Sequence, residues 1–403
     1  MVYNRIVEKI LEEAMNLMSP MRIITFILSI FIVGMVEMMV AGIMNLMSHD
    51  LHVSEAIVGQ LVTLYAITFA IAGPILVKLT NRFAPKPVLL WTLFVFIAGN
   101  VIIAVAPNFP ILVIGRILSS AAAALIVVKI LALTALLTSP KHRGKMIGIV
   151  YSGFSGANVL GVPIGTIIGD WIGWRFTFLF IVAVSVLVGI LMFIYVPQVQ
   201  AQQVEQTTES AKQHRPSRIL NTTEIIKYLG ITFLLLVANS ITFIYINPLM
   251  LKSGHTLTFV SITLLINGIA GVIGTSVGGF LSDRLTSKRW LTIATAVFMC
   301  MLLILNTTFS MTVLLLIVIF IWNIMQWSTN PAVQSGIIEH VEGDTSQVMS
   351  WNMSSLNAGI AIGGIIGGLV VSKLNVYATT YCSALIAFIA LILIISLKKV
   401  RND

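Results

Sequence analysis

Long apolar stretches alternate with short polar breaks along the whole chain. Twelve such stretches, roughly 21 to 47, 56 to 79, 87 to 106, 110 to 138, 144 to 170, 174 to 196, 224 to 251, 257 to 282, 289 to 308, 311 to 335, 346 to 372 and 376 to 397, stand out. Each is close to or beyond the ~20 residues an α-helix needs to cross a ~30 Å hydrocarbon core. Their apolar character is continuous and lacks the period-two alternation of an outer-membrane barrel strand, so helices are predicted. The expected fold class is an all-α membrane protein of twelve transmembrane helices.

Composition narrows this further. The chain is 58% hydrophobic and only 10% charged, with a mean hydropathy of +1.00, values outside the range of a soluble globular domain of 403 residues. The net charge of +9 does not point to a nucleic acid, because Lys and Arg sit in short breaks rather than along one polar face. With both termini on the cytoplasmic side, nineteen of them fall in inner loops and tails against three outside, Arg175, Lys252 and Lys373. That imbalance predicts a multi-pass protein of the cytoplasmic membrane with both ends inside. One inner loop departs from it, carrying Glu339, Glu342 and Asp344 without a Lys or Arg. Cys300 and Cys382 fall inside predicted spans, so neither a disulfide framework nor metal-ligand spacing is on offer.

Two features divide the chain. Residues 197–222, rich in Gln, Thr, Ser and charge, predict a cytoplasmic linker, separating halves at 21–196 and 223–397, with an amphipathic segment at 1–20 and a tail at 398–403. The halves echo one another: Leu79-Thr80-Asn81-Arg82-Phe83 corresponds to Leu281-Ser282-Asp283-Arg284-Leu285, and Gly161-Val162-Pro163-Ile164-Gly165 to Gly359-Ile360-Ala361-Ile362-Gly363. Repeated halves predict two six-helix bundles that rock about a site at the midplane.

Charged groups inside spans are candidates for chemistry, because a charge held in hydrocarbon costs about 2.5 kcal/mol or more. Glu37 is the one acid deep in a span; Asp170 lies at a span end beside Trp171. Counted at ~1.5 Å per residue, Glu37 lies about 12 Å from the outer end of its helix and Arg116 about 9 Å from the same face. The two are level. A carboxyl taken out of water holds a proton more tightly, and an approaching cation favours the ionised form, so such a pair can couple proton release to a change in its surroundings. The alternative is a static helix-to-helix contact. Lys129 is thirteen residues beyond Arg116, about 140° around the helix and ~20 Å deeper, so it belongs to a different constellation. It either lines an inner cavity or snorkels to the headgroups.

Gly34-Met35-Val36-Glu37, Gly73-Pro74, Leu79-Thr80-Asn81-Arg82 with Lys86, Arg116, Arg143-Gly144, and Gly161-Val162-Pro163-Ile164-Gly165 leading to Gly173-Trp174-Arg175 together resemble the major facilitator superfamily, in its twelve-helix drug:proton antiporter branch. Within it the chain is similar to bacterial exporters of purines and nucleosides, of arabinose, and of chloramphenicol and bicyclomycin. The resemblance implies two pseudo-symmetric bundles, alternating access and proton antiport. It implies that Glu37 and Arg116 form the proton-coupling site, and that Gly73, Asn81, Arg82, Lys86, Asp283 and Arg284 are conformational latches, with Gly161, Pro163 and Gly165 in an antiporter motif. The chain departs from the family pattern at Asn81, where an acid is usual, and at Val162 and Thr166.

The expected function is proton-coupled efflux of small organic molecules by a monomer, driven by a proton gradient without cofactor or metal. An uptake symporter or facilitator, or a lipid flippase of the same fold, remains the alternative. No nucleophile-base pair points to an enzyme. Candidate substrate contacts are Asn45, Lys129, Asn158, Asn239, Tyr245, Asn247, Asn267, Trp322, Asn323, Gln326 and Trp327, because uncharged amides and rings in apolar helices suit a heterocycle or sugar. The alternative is that these amides and indoles bond helix to helix.

Overall fold

The computed structural model describes residues 18–138, 143–199, 218–342 and 345–398. Most of the expected segment at 1–20, most of the linker, Asp344 and most of the tail lie outside the described residues. In chain order the helices are α1 (Pro20–Leu51), α2 (Glu55–Thr80), α3 (Pro85–Val105), α4 (Phe109–Leu137), α5 (Arg143–Gly156), a π-helical turn (Ala157–Gly161), α6 (Val162–Ile172) and α7 (Trp174–Tyr195). After the strand β1 (Arg218–Ile219) follow α8 (Thr222–Phe243), α9 (Ile246–Lys252), α10 (Leu257–Leu285), α11 (Ser287–Leu305), α12 (Thr312–Ile338), the strand β2 (Val341–Glu342), α13 (Ser346–Lys373) and α14 (Ala378–Ile395). With α5 to α6 and α8 to α9 counted as one span each, twelve helices are long and apolar enough to cross a membrane.

Two spans are interrupted, and proline is the cause in both. Pro163 lacks an N–H and its ring crowds the carbonyl four residues back, at Val159. The backbone there widens into the π-helical turn Ala157–Gly161, leaving Pro163 in the first turn of a new segment where it is tolerated. Pro248 repeats the arrangement: the residue four back is Ile244, where α8 gives way to α9. A third irregularity, at Ile43 in α1 (φ −117°, ψ 18°), follows Gly42 and involves no proline.

The chain forms two compact units, which group residues differently from the two sequence halves. One comprises Met1–Glu37, Ile71–Ala157 and Arg175–His214, as far as these are described; the other comprises Met38–Ala70, Asn158–Trp174 and Arg215–Asp403. Inside the second unit, stretches from the first half therefore pack directly on second-half helices. Asn247 Nδ2 donates to the Gly42 carbonyl at 2.7 Å and to Asn45 Oδ1 at 2.9 Å. The Tyr245 hydroxyl accepts from Gln60 Nε2 at 3.2 Å and donates to the Gly364 carbonyl at 3.2 Å. Its ring fills a socket floored by Gly59, Gly367 and Gly368, where any Cβ would collide with it.

Polar ends are tied down by name. The short β1–β2 pair, which a purely helical expectation lacked, sets Arg218 opposite Glu342 in register. The backbone at the end of the linker thus pairs with the acidic loop that broke the charge rule. At the end of α14, buried Glu224 accepts from Lys227 Nζ at 2.8 Å and from the Lys398 amide at 3.0 Å. Lys288 Nζ donates to the carbonyls of Ile395 and Leu397 at 2.7 and 2.6 Å, satisfying acceptors that the helix terminus leaves open.

Helix α10 meets α12 backbone to backbone, because Gly274 and Gly278 present no side chain there. A Cβ on Gly274 would lie 2.6 Å from the Ile324 carbonyl, and one on Gly278 would collide with that of Ser328. Gly279, next in sequence, faces open space. Gly278→Ala is therefore expected to lower thermal stability by about 1–3 kcal/mol through overpacking. Gly279→Ala should leave it unchanged or raise it by up to ~1 kcal/mol through helix propensity. Thermal unfolding in detergent checks this, and equal effects at the two positions would refute the close-packing account.

Candidate functional site

Arg116 reaches its place because α4 is built to approach its neighbours closely. Asn108 caps the helix through its side chain. Gly115 lies against Gly99 of α3, where a Cβ on either would fall 2.8–2.9 Å from the other's carbonyl oxygen. Arg116, Ser119 and Ser120, which share one stripe at i, i+3 and i+4, are all fully buried. From there the guanidinium crosses to α1, donating from Nη1 to the Val36 carbonyl at 2.9 Å. A buried charge needs such partners, since losing one partner of a buried pair typically costs about 3–5 kcal/mol.

The anchor point is one residue before Glu37, and the Arg116 charge acts on the Glu37 carboxylate. The structure thus brings together the two groups whose depths matched in the sequence. Glu37 is only half-buried although it lies mid-helix among packed neighbours. Among the described residues its carboxylate has no hydrogen-bond partner. An acid that is deep and uncommitted, beside a fixed cation, can exchange a proton or hold a ligand's donor.

A third group belongs to this site and was missed from the sequence. Tyr151 on α5 feels the Glu37 charge and stacks on Phe154, with ring centroids 5.8 Å apart and planes 6° from parallel. Helix α5 can come this close because Gly153 lies directly against the Ile27 carbonyl of α1, and Phe154 packs over Gly34, where a Cβ would sit 3.1 Å from its ring. The available signal was the pair of glycines, Gly34 on α1 and Gly153 on α5, marking where two backbones meet.

Lys129 is buried and points to the α2 terminus. Its Nζ donates to Asn81 Oδ1 at 3.2 Å and lies 3.5 Å from the Thr80 carbonyl. The neutral residue standing where the family pattern has an acid is therefore the partner of a buried cation. Of the residues expected as latches, Arg82 and Arg284 are exposed and Lys86 is half-buried: Arg82 lies over the Phe83 ring at 5.1 Å, Lys86 over Phe193 at 5.5 Å and Arg284 over Phe280 at 4.3 Å. Asp283 is exposed. A Cβ on Gly73 would meet Ala124 at 3.7 Å, an ordinary contact; Gly161 closes the π turn, and Pro163 and Gly165 are buried in α6.

In the second unit the structure sorts the remaining candidates by their partners. Trp322 is fully buried and donates from its indole to Asn239 Oδ1 at 3.2 Å; Trp327 does the same to Asn267 Oδ1 at 3.1 Å. Asn45, Tyr245 and Asn247 join helices as described above, and Asn158 is buried within the π turn. Asn323 Nδ2 bonds to the Ile319 carbonyl one turn back at 2.8 Å, leaving its buried Oδ1 unpaired. Gln326 is buried on the same helix. Among the described residues Asn323 and Gln326 thus keep polar atoms uncommitted, as Asn247 does at its Oδ1, while Asn239, Asn267 and the Nδ2 of Asn247 are used between helices.

Among the described residues no group of three His, Cys, Asp or Glu could hold a metal ion. The chain is 28% identical over 364 residues to the uncharacterized MFS-type transporter YbcL of Bacillus subtilis (strain 168), covering 90% of this chain and 92% of that protein. It is 29% identical over 372 residues to the uncharacterized MFS-type transporter YtbD of the same organism, covering 91% and 92%. Relatives named as transporters point to transport rather than to enzymatic chemistry. The family model described as Major Facilitator Superfamily matches residues 26–346, and with twelve apolar helices to carry it, the chain belongs to that superfamily of membrane transporters.

Proposed function

We propose that this transporter is a proton-coupled exporter of small organic molecules across the cytoplasmic membrane, acting as a monomer by alternating access between two six-helix bundles with both termini inside. The observation that carries this reading is Glu37: a deep, half-buried carboxylate without a hydrogen-bond partner among the described residues, beside an Arg116 anchored on the adjacent Val36 carbonyl. A carboxylate kept at that depth normally has a task. Proton binding removes its charge and its attraction to Arg116, so the site has two electrostatic states that a conformational cycle can use.

Alternating access also requires a closure that can open. The contacts of Tyr245 with Gln60 and of Asn247 with Gly42 and Asn45 supply one, since they join first-half to second-half helices at the ends away from the chain termini. We read them as the outer lock, closed in this structure.

Two outcomes are expected. Glu37→Gln should abolish proton-driven substrate movement in inverted vesicles while still allowing some substrate exchange down its own gradient; proton-driven transport at the wild-type rate would sink the assignment. Tyr245→Ala should empty the glycine socket and raise the labelling rate of a cysteine placed at Thr63, whose hydroxyl bonds to the Ala361 carbonyl at 3.3 Å, by a membrane-impermeant maleimide added from outside. Unchanged labelling would remove Tyr245 from the lock.

A further inference from the structure

At the helix ends away from the chain termini, the connections from α9 to α10, α11 to α12 and α13 to α14 converge on one cavity within the second unit. It measures about 710 Å³, and its walls include Lys252, Asn306, Phe309, Ser310, Tyr377 and Tyr381. The frame is held by hydrogen bonds across the three connections. The Tyr377 hydroxyl donates to the Lys252 carbonyl at 2.6 Å, and Asn306 Nδ2 donates to the Tyr377 carbonyl at 3.0 Å and to the Thr380 hydroxyl at 2.9 Å. The Phe309 and Tyr377 rings lie 5.7 Å apart. One cation and no acid line the cavity. The Lys252 ammonium lies 3.4 Å from Glu55, which engages one of its three N–H donors and leaves the others for a ligand. The Ser310 and Tyr381 hydroxyls are uncommitted among the described residues.

The Tyr381 wall continues into the bilayer. Tyr381 is exposed, and Leu385, Phe388 and Ile392, which follow it at i+4, i+7 and i+11 on one face of α14, are exposed as well. On a spanning helix such an apolar face meets lipid tails, and tyrosine is enriched where tails give way to headgroups. We propose that this cavity seats the headgroup of a phospholipid from the leaflet away from the chain termini, one that carries a phosphate and hydroxyls but no cation, as phosphatidylglycerol does. The phosphate meets the Lys252 ammonium, the glycerol hydroxyls meet those of Ser310 and Tyr381, and the acyl chains run along the Leu385 face. A headgroup ammonium would find no acid in the lining, and Glu55 beside it is already paired with Lys252. A free phosphate would use the cation but gain nothing from the apolar face. The site depends on the twelve-span topology and not on the coupling role of Glu37.

Purified full-length protein in detergent is titrated with dioctanoylphosphatidylglycerol, dioctanoylphosphatidylethanolamine and glycerol 1-phosphate, and the bound species are counted by native mass spectrometry. Wild type should bind the glycerol lipid about fivefold more tightly than the ethanolamine lipid, the size of effect one lysine has on an anionic headgroup, and glycerol 1-phosphate far more weakly than either. Lys252→Gln should remove the preference and Lys252→Arg should keep it. Glu55→Gln, which releases the ammonium, should strengthen binding of the glycerol lipid. Tyr381→Ala should weaken both lipids alike. Lys373→Gln changes an exposed cation on the same side that does not line the cavity, and should leave both affinities as they were. Equal affinity of wild type for the two lipids, or glycerol 1-phosphate bound as tightly as a lipid, overturns the proposal. So do a preference that survives Lys252→Gln, equal losses in Lys252→Gln and Lys373→Gln, and binding that Glu55→Gln leaves unchanged or weaker.

Discussion

The bond from Arg116 to the Val36 carbonyl is the interaction around which the first unit is arranged. A guanidinium with no exposed surface must be satisfied by protein, because hydrocarbon offers no acceptor. The fixed charge lands one residue from Glu37, so the cation is held by backbone and the carboxylate is left without a hydrogen bond among the described residues. Had the two side chains spent their hydrogen bonds on each other, the acid would have been a structural partner. Anchoring the arginine elsewhere keeps the electrostatic influence while freeing the carboxyl to change state.

The same demand for internal satisfaction governs the rest of the membrane-spanning polar groups, which meet it in ways that separate structure from function. Thr25, Thr92, Thr134 and Ser185 turn their hydroxyls back on carbonyls four residues earlier in their own helices, at 2.7–2.8 Å, as short polar side chains can. Trp322 and Trp327 spend their indole N–H groups on Asn239 and Asn267. Lys129 spends its charge on Asn81 and the end of α2. Among the described residues the groups left without a hydrogen bond include the Glu37 carboxylate and, fully buried, the Oδ1 atoms of Asn100, Asn247, Asn306 and Asn323, the Trp290 indole and the Thr295 hydroxyl.

Much of this was legible in the sequence, and the limits are physical. Span number and position follow from length and apolarity, which depend on each segment alone. The level placement of Glu37 and Arg116 needed only the rise of a helix and two boundaries. The amides were harder, since a residue type shows that a bond will be made but not to what; Tyr245 and Asn247 could equally have faced a ligand until Gln60, Gly42 and Gly364 were seen around them. The π turn at Ala157–Gly161 follows from Pro163 only if the crowded Val159 carbonyl is resolved by widening rather than by bending. Tyr151 escaped because a lone tyrosine in an apolar helix carries no signal; its meaning comes from Gly34 and Gly153, which bring α5 against α1.

The contrast between the two kinds of contact is itself an argument about the cycle. The Arg116 bond is charged, buried and 2.9 Å long, the kind whose loss costs several kcal/mol. The Tyr245 contacts are neutral, 3.2 Å long, and seated on glycine, so each is worth about 0.5–1.5 kcal/mol at most. A closure that has to open during transport is poorly served by the first kind, and a carboxylate proposed as a coupling site is poorly held in register by the second. The strong bond lies within the first unit, beside Glu37, and the weak ones lie where first-half and second-half helices meet. A glycine socket suits that position, because the ring can leave without any side chain having to move aside and return without having to find a rotamer.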